Sequence, residues 1–71
     1  MSDKARELLE LRAIKISARS ALSRPYDDDV KERIKDRADD LLAQLEAAVL
    51  RDGGSEEVLE AIDAARRELR A

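Results

Sequence analysis

An all-α fold, an antiparallel up-down-up three-helix bundle, is what this sequence predicts, and three observations predict it. Apolar residues recur at three- and four-residue spacing along three separate stretches, the period of a helix that buries one side. Two brief breaks, at Arg24-Pro25 and at Gly53-Gly54, divide those stretches. Connections this short favour antiparallel neighbours. The expectation for the 71 residues is therefore one domain, with helix 1 over about 3–23, helix 2 over about 28–51 and helix 3 over about 56–70.

Helix 1 begins with Ser2 as its expected N-cap and stops before Pro25, because a residue that precedes proline is pushed out of the α region. At roughly 100° per residue, Leu8, Leu11, Ile14, Ala18, Ala21 and Leu22 form its core side. Helix 2 starts within Asp27, Asp28 and Asp29. One of these carboxylates is expected to cap free N–H groups while the others meet the positive end of the helix dipole. Its stripe is Val30, Ile34, Ala38, Leu41, Leu45 and Ala48, flanked by Leu42 and Val49, and Gly53 ends it in the left-handed conformation that helix C-termini favour. Gly54 supplies the bend. Helix 3 follows with Ser55 as cap, Glu56 and Glu57 in the first turn, and Arg66, Arg67 and Arg70 at the dipole's negative end. Its stripe is Val58, Ala61, Ile62, Ala65 and Leu69.

Composition narrows the function classes. The chain has no Cys and no His, so disulfides and the usual zinc and haem ligands are excluded, and no cofactor is expected. A Ser nucleophile would have no His as base, and nothing suggests a Lys4 or Lys15 buried with lowered pKa; the expectation is a chain that is not an enzyme. The longest apolar run, Ala47 to Leu50, is far short of the ~20 residues that span a bilayer. With no signal-like segment at its start, the chain is expected to be soluble, without contact to a membrane. Charged residues make up 44% of it, yet the net charge is −3, which argues against the basic stripe of a nucleic-acid binder. The charge is uneven: residues 11–24 hold four bases and no acid, whereas residues 27–46 hold eight acids and four bases. Either neighbouring helices attract one another, or the basic half of helix 1 faces an acidic partner.

Helix 1 also carries a second apolar side, nearly opposite the first: Ala5, Leu9, Ala13 and Ile16, continued by Ser20 and Ser23 and bordered by Arg12 and Arg19. Ser17 lies close by. Serine has modest helix propensity, so three serines within seven helical residues make poor surface filler. Small residues admit a second backbone, and arginines make bidentate contacts or stack on aromatic rings. Leu9, Arg12, Ala13, Ile16, Arg19, Ser20 and Ser23 are thus the candidate partner-binding residues. The competing expectation places Leu9 and Ile16 at the bundle's boundary, packed by neighbouring helices. Helix 2 offers a further strip, Ala43, Ala47 and Leu50, outside its core stripe.

Three other patterns have simpler readings. Glu32, Asp36 and Asp40 form an i, i+4 ladder that reads as a solvated acidic face rather than a cation site. Tyr26, the single aromatic residue, is expected to pack over the first loop as a plug. Ile34, Ala38, Asp39 and Leu41 resemble the core of a BH3 helix, but Arg37 stands where an apolar anchor belongs, and the bundle's own core needs Ile34 and Leu41.

The similar helix lengths, the Asp-Gly-Gly-Ser-Glu-Glu connector at 52–57, the surplus of Ala, Leu, Glu and Arg, and the absence of His, Cys, Phe and Trp resemble a computationally designed three-helix mini-protein. That resemblance implies a binder presenting a rigid helical face to a protein target. It assigns no binding residue, since it lies in style and not in a motif. The alternatives are a homodimer through the same face and a helical scaffold with no partner.

Overall fold

The computed structural model describes residues 3–70, and three helices pack against one another: α1 (Asp3–Leu22), α2 (Asp28–Arg51) and α3 (Glu56–Arg70). Among the described residues there is no strand, and the bundle extends 39 × 18 × 16 Å. The expected Ser2 cap lies outside the described residues.

Helix α1 ends at Leu22, one residue before the expected Ser23. The Ser23 amide still donates to the Arg19 carbonyl at 3.0 Å, but the Arg24 amide reaches only to Ala21, at 3.3 Å. That three-residue step tightens the last turn, and a bond from the Tyr26 amide to the Arg24 carbonyl at 2.8 Å then closes a turn around Pro25. Tyr26 is exposed and does not plug this loop, contrary to expectation. The compact turn leaves its ring beside the solvent.

Asp27 occupies the N-cap of α2 with extended backbone (φ −63°, ψ 158°), and its carbonyl accepts from the Lys31 amide at 3.0 Å. Its carboxylate makes no cap hydrogen bond, so the expected side-chain cap is absent. Asp28 and Asp29 nonetheless place negative charge in the first turn, where the dipole favours it without direct contact. The far end of α2 closes with two bonds: Gly54 N–H donates to the Val49 carbonyl at 2.7 Å and Gly53 N–H to the Leu50 carbonyl at 3.3 Å. This is a Schellman closure, with Gly53 at φ +70°. At the start of α3, the Ser55 hydroxyl accepts from the Val58 amide at 3.4 Å.

The core consists of Leu11 and Ala18 from α1, Ala38, Leu42, Leu45 and Val49 from α2, and Val58, Ile62, Ala65 and Leu69 from α3. Leu8, Ile14, Leu22, Leu59 and Ala61 pack against it. One correction concerns α2. Leu42 and Val49, expected at the flanks of its stripe, are fully buried, whereas Val30, Ile34, Leu41 and Ala48 are only half-buried. A helix with two neighbours buries the direction that bisects them, and that direction is a property of the packed bundle. Glu7, one turn before Leu11 on the core side of α1, is the buried charged residue among those described. None of the described residues has a buried side-chain N or O atom without a hydrogen-bond partner.

Candidate interaction face on helix α1

The second apolar side of α1 stands in solvent. Leu9 is 65% exposed and Ile16 57%, and Ala5, Arg12, Ala13 and Ser20 are exposed with them. The boundary placement of Leu9 and Ile16 is therefore not what the bundle adopts. Helical geometry accounts for it: these residues lie opposite Leu11 and Ala18, which point into the core, so neither neighbouring helix reaches them.

The polar margin divides into engaged and unengaged groups. Arg19 gives its guanidinium to Glu68 of α3 at 2.8 Å, and Lys15 shares the same carboxylate at 3.1 Å. Ser23 donates its hydroxyl to the Ser20 carbonyl at 2.8 Å, which closes the frayed end of α1. Arg12 forms no ion pair among the described residues. Of the charged candidates, Arg12 is thus the one whose hydrogen-bonding capacity is unspent. Beside it lies an open groove of 450 Å³ on α1 itself, lined by Leu8, Leu11, Arg12, Lys15, Ile16 and Arg19. Ser17 turns the other way, into a smaller apolar groove between α1 and α2 that also includes Ile14, Ala21, Ile34 and Leu41.

The acidic stretch of α2 is drawn to α3. Arg70 donates from Nη1 to Glu32 at 3.0 Å, from Nη2 to Asp36 at 2.9 Å and from Nε to Asp39 at 3.0 Å. Asp39 takes the place that the ladder assigned to Asp40. The hydrogen bonds it donates to Asp39 and then to Asp36 hold the Arg70 guanidinium still more firmly protonated than an ordinary arginine. Arg66 meets Glu46 at 3.3 Å, and Lys4 pairs with Glu57. Of the two expectations for the uneven charge, attraction between helices is realised, but it runs through α3. Spacing alone points to charge on α1 and α2; it does not say that each finds its counter-charges on α3.

Glu68 has an acid-base signature. The hydrogen bond from Lys15, with the charges of Lys15 and Arg19, holds its carboxyl below the ordinary value of 4.5, against a smaller opposing effect of burial. A carboxylate depressed in the folded state adds stability above its unfolded pKa and loses it as pH falls through the folded one. Glu68→Gln should therefore melt below wild type near neutral pH, and the gap should close as the pH is lowered from about 6 to about 3. Thermal melts followed by circular dichroism at each pH test this; a gap that stays constant would remove the Glu68 charge as its source.

Among the described residues no three His, Cys, Asp or Glu side chains are placed to hold a metal ion, and no helix is long and apolar enough to cross a membrane. The strip of Ala43, Ala47 and Leu50 is exposed, with Leu50 in a groove formed by α2 and α3 alone, separate from the Ile16 groove. No known protein family matches this chain, and no curated protein or solved structure does so either.

Proposed function

We propose that this chain is a non-enzymatic helical protein-binding module, a designed mini-protein of binder type, whose partner protein docks on the outer face of α1. The observation that carries the reading is the exposure of Leu9 and Ile16 on one side of a helix whose other side already closes the core. Lone exposed leucines are ordinary; two large apolar residues spaced by two turns, with Ala13 between and Ser20 beyond, form a stripe. Leu9, Ala13 and Ile16 supply apolar contact, Arg12 and Arg19 charge-assisted contact, and Ser20 and Ser23 room for close approach.

We infer that the helices run up, down and up. Lys4 pairs with Glu57 near the starts of α1 and α3, and Arg19 with Glu68 near their ends. Along α2 the order reverses, since Glu46 meets Arg66 while Glu32 meets Arg70. This arrangement sets α3 parallel to α1, so a partner on α1 can extend past Lys15 and Arg19 onto Glu68 of α3. The extension matters because an interface of standard size covers about 800 Å² per partner. Leu9 and Ile16 would contribute only ~1.5 to 3 kcal/mol each on full burial.

The test is a panning experiment with displayed random peptides against the immobilised chain, followed by affinity measurement on the Leu9→Glu, Ile16→Glu double variant. Most selected peptides should lose at least about tenfold in affinity, about 1.4 kcal/mol. The variant should keep the wild-type helical signal and melting temperature, because both side chains are exposed in the free protein. Peptides indifferent to the double substitution would refute the proposed face.

A further inference from the structure

Two grooves of nearly equal volume carry opposite charge. The first, 450 Å³, has Ile16 exposed at its edge, Leu8 and Leu11 at its floor, and Arg12, Lys15 and Arg19 around it. The second, 440 Å³, lies between the end of α2 and the start of α3. It has Leu50 exposed, Leu59 packed on the core, and Glu46, Glu56, Glu60 and Asp63 around it. Internal pairing leaves the contrast in place. With Glu68 counted against Lys15 and Arg19, the first rim keeps two positive charges; with Arg66 counted against Glu46, the second keeps three negative ones. The two grooves share no residue.

We propose that the occupant of the α1 groove is a second copy of this chain, which inserts its Leu50 edge and acidic rim. The proposal rests on the reading of α1 as a binding face and names its partner. Parallel self-pairing of α1 is disfavoured, because it would set residues 11–24, with four bases and no acid, against the same stretch of the copy. The α2/α3 groove instead offers an exposed leucine ringed by carboxylates. A contact between two different patches is heterologous, so each copy presents one used and one open groove, and association continues beyond the dimer unless a ring closes. Each groove is lined by six residues, well short of the roughly 20 to 30 a side of a standard interface, so the contact belongs with weak interfaces below about 1,200 Å². Association belongs at chain concentrations approaching roughly millimolar and at low ionic strength, where exposed charges are least screened.

Sedimentation equilibrium on wild type, Ile16→Glu, Leu50→Glu and their equimolar mixture tests this. Wild type should rise above the 8.0 kDa monomer mass as concentration increases at low salt, and return toward it in roughly 0.5 M salt. Each variant alone should remain monomeric, since every copy then lacks the same half of the contact. Their mixture should give a dimer and nothing larger, because only one intact pair of grooves exists between the two variants. Circular dichroism should show both variants folded, as both positions are exposed. If Leu50→Glu associates like wild type while Ile16→Glu does not, the head-to-tail contact is wrong although the α1 face stands. If Ile16→Glu associates like wild type, the role of α1 in self-association falls as well. A wild-type chain that keeps the monomer mass throughout, or a mixture that stays monomeric, overturns the proposal while leaving the peptide-panning test of the α1 face intact.

Discussion

Ile62→Ala should leave much of the protein unfolded at room temperature, with its urea midpoint close to zero. Ile62 is fully buried in the core, to which all three helices contribute. Truncating a buried isoleucine to alanine costs about 2 to 5 kcal/mol, the lost transfer energy plus the cavity left behind. A single core in a chain this small supplies only about 3 to 5 kcal/mol of net stability. The two magnitudes are the same size, so one side chain decides whether the fold persists. Ile62→Val, which removes one methylene, should cost about 0.5 to 1.5 kcal/mol and stay folded. Urea titrations of the three proteins, followed at 222 nm, check the series. An Ile62→Ala midpoint equal to that of wild type would mean that α3 does not pack as described.

Gly54→Ala should be the most damaging substitution in either connection, and worse than Gly53→Ala. A Cβ at Gly54 would overlap Val49 Cγ1 and lie 2.9 Å from the Val49 carbonyl oxygen. That carbonyl is the one the Gly54 amide bonds at 2.7 Å, and the Val49 side chain is fully buried. Neither obstacle can move without opening the Schellman closure or displacing core, a cost of about 1 to 3 kcal/mol by analogy with overpacked interiors. Gly53 meets the opposite situation. Nothing lies within 4 Å of its would-be Cβ, but its φ of +70° is left-handed, which costs an L-residue roughly 1 to 2 kcal/mol. Asparagine, which tolerates that region, should restore part of the Gly53→Ala loss and none of the Gly54→Ala loss. Urea midpoints in the reverse order would show that backbone conformation, not the approach of Val49, governs this corner.

These two sites also show how unevenly the molecule could be read in advance. Gly53 was legible, because a glycine after a helical stripe marks a left-handed end through purely local preference. The demand at Gly54 was only half legible. A bend could be expected there, but the approach of Val49 Cγ1 depends on how α2 turns its buried side. The same difference separates α2's stripe from its core: the spacing of Val30, Ile34, Leu41 and Leu45 marks an apolar side, yet Leu42 and Val49 became the most deeply buried. In the candidate site, Leu9 and Ile16 were legible as surplus, since one face already sufficed for the core. Arg19 was not legible as a partner of Glu68, because residues 49 apart in the chain meet only after α1 and α3 have packed.

Helix number, the two breaks and the surplus apolar side of α1 follow from the chain's own order of residues. They depend on interactions within a few positions: the 3.6-residue period, proline's effect on its predecessor, and glycine's tolerance of positive φ. Which residues became core, which carboxylates gathered on Arg70, and which arginine of α1 stayed unengaged were decided by the tertiary structure. Each of those outcomes depends on the rotation of one helix about its axis relative to two others. A turn of one residue, about 100°, exchanges a buried side chain for an exposed one, and only packing against both neighbours selects the angle.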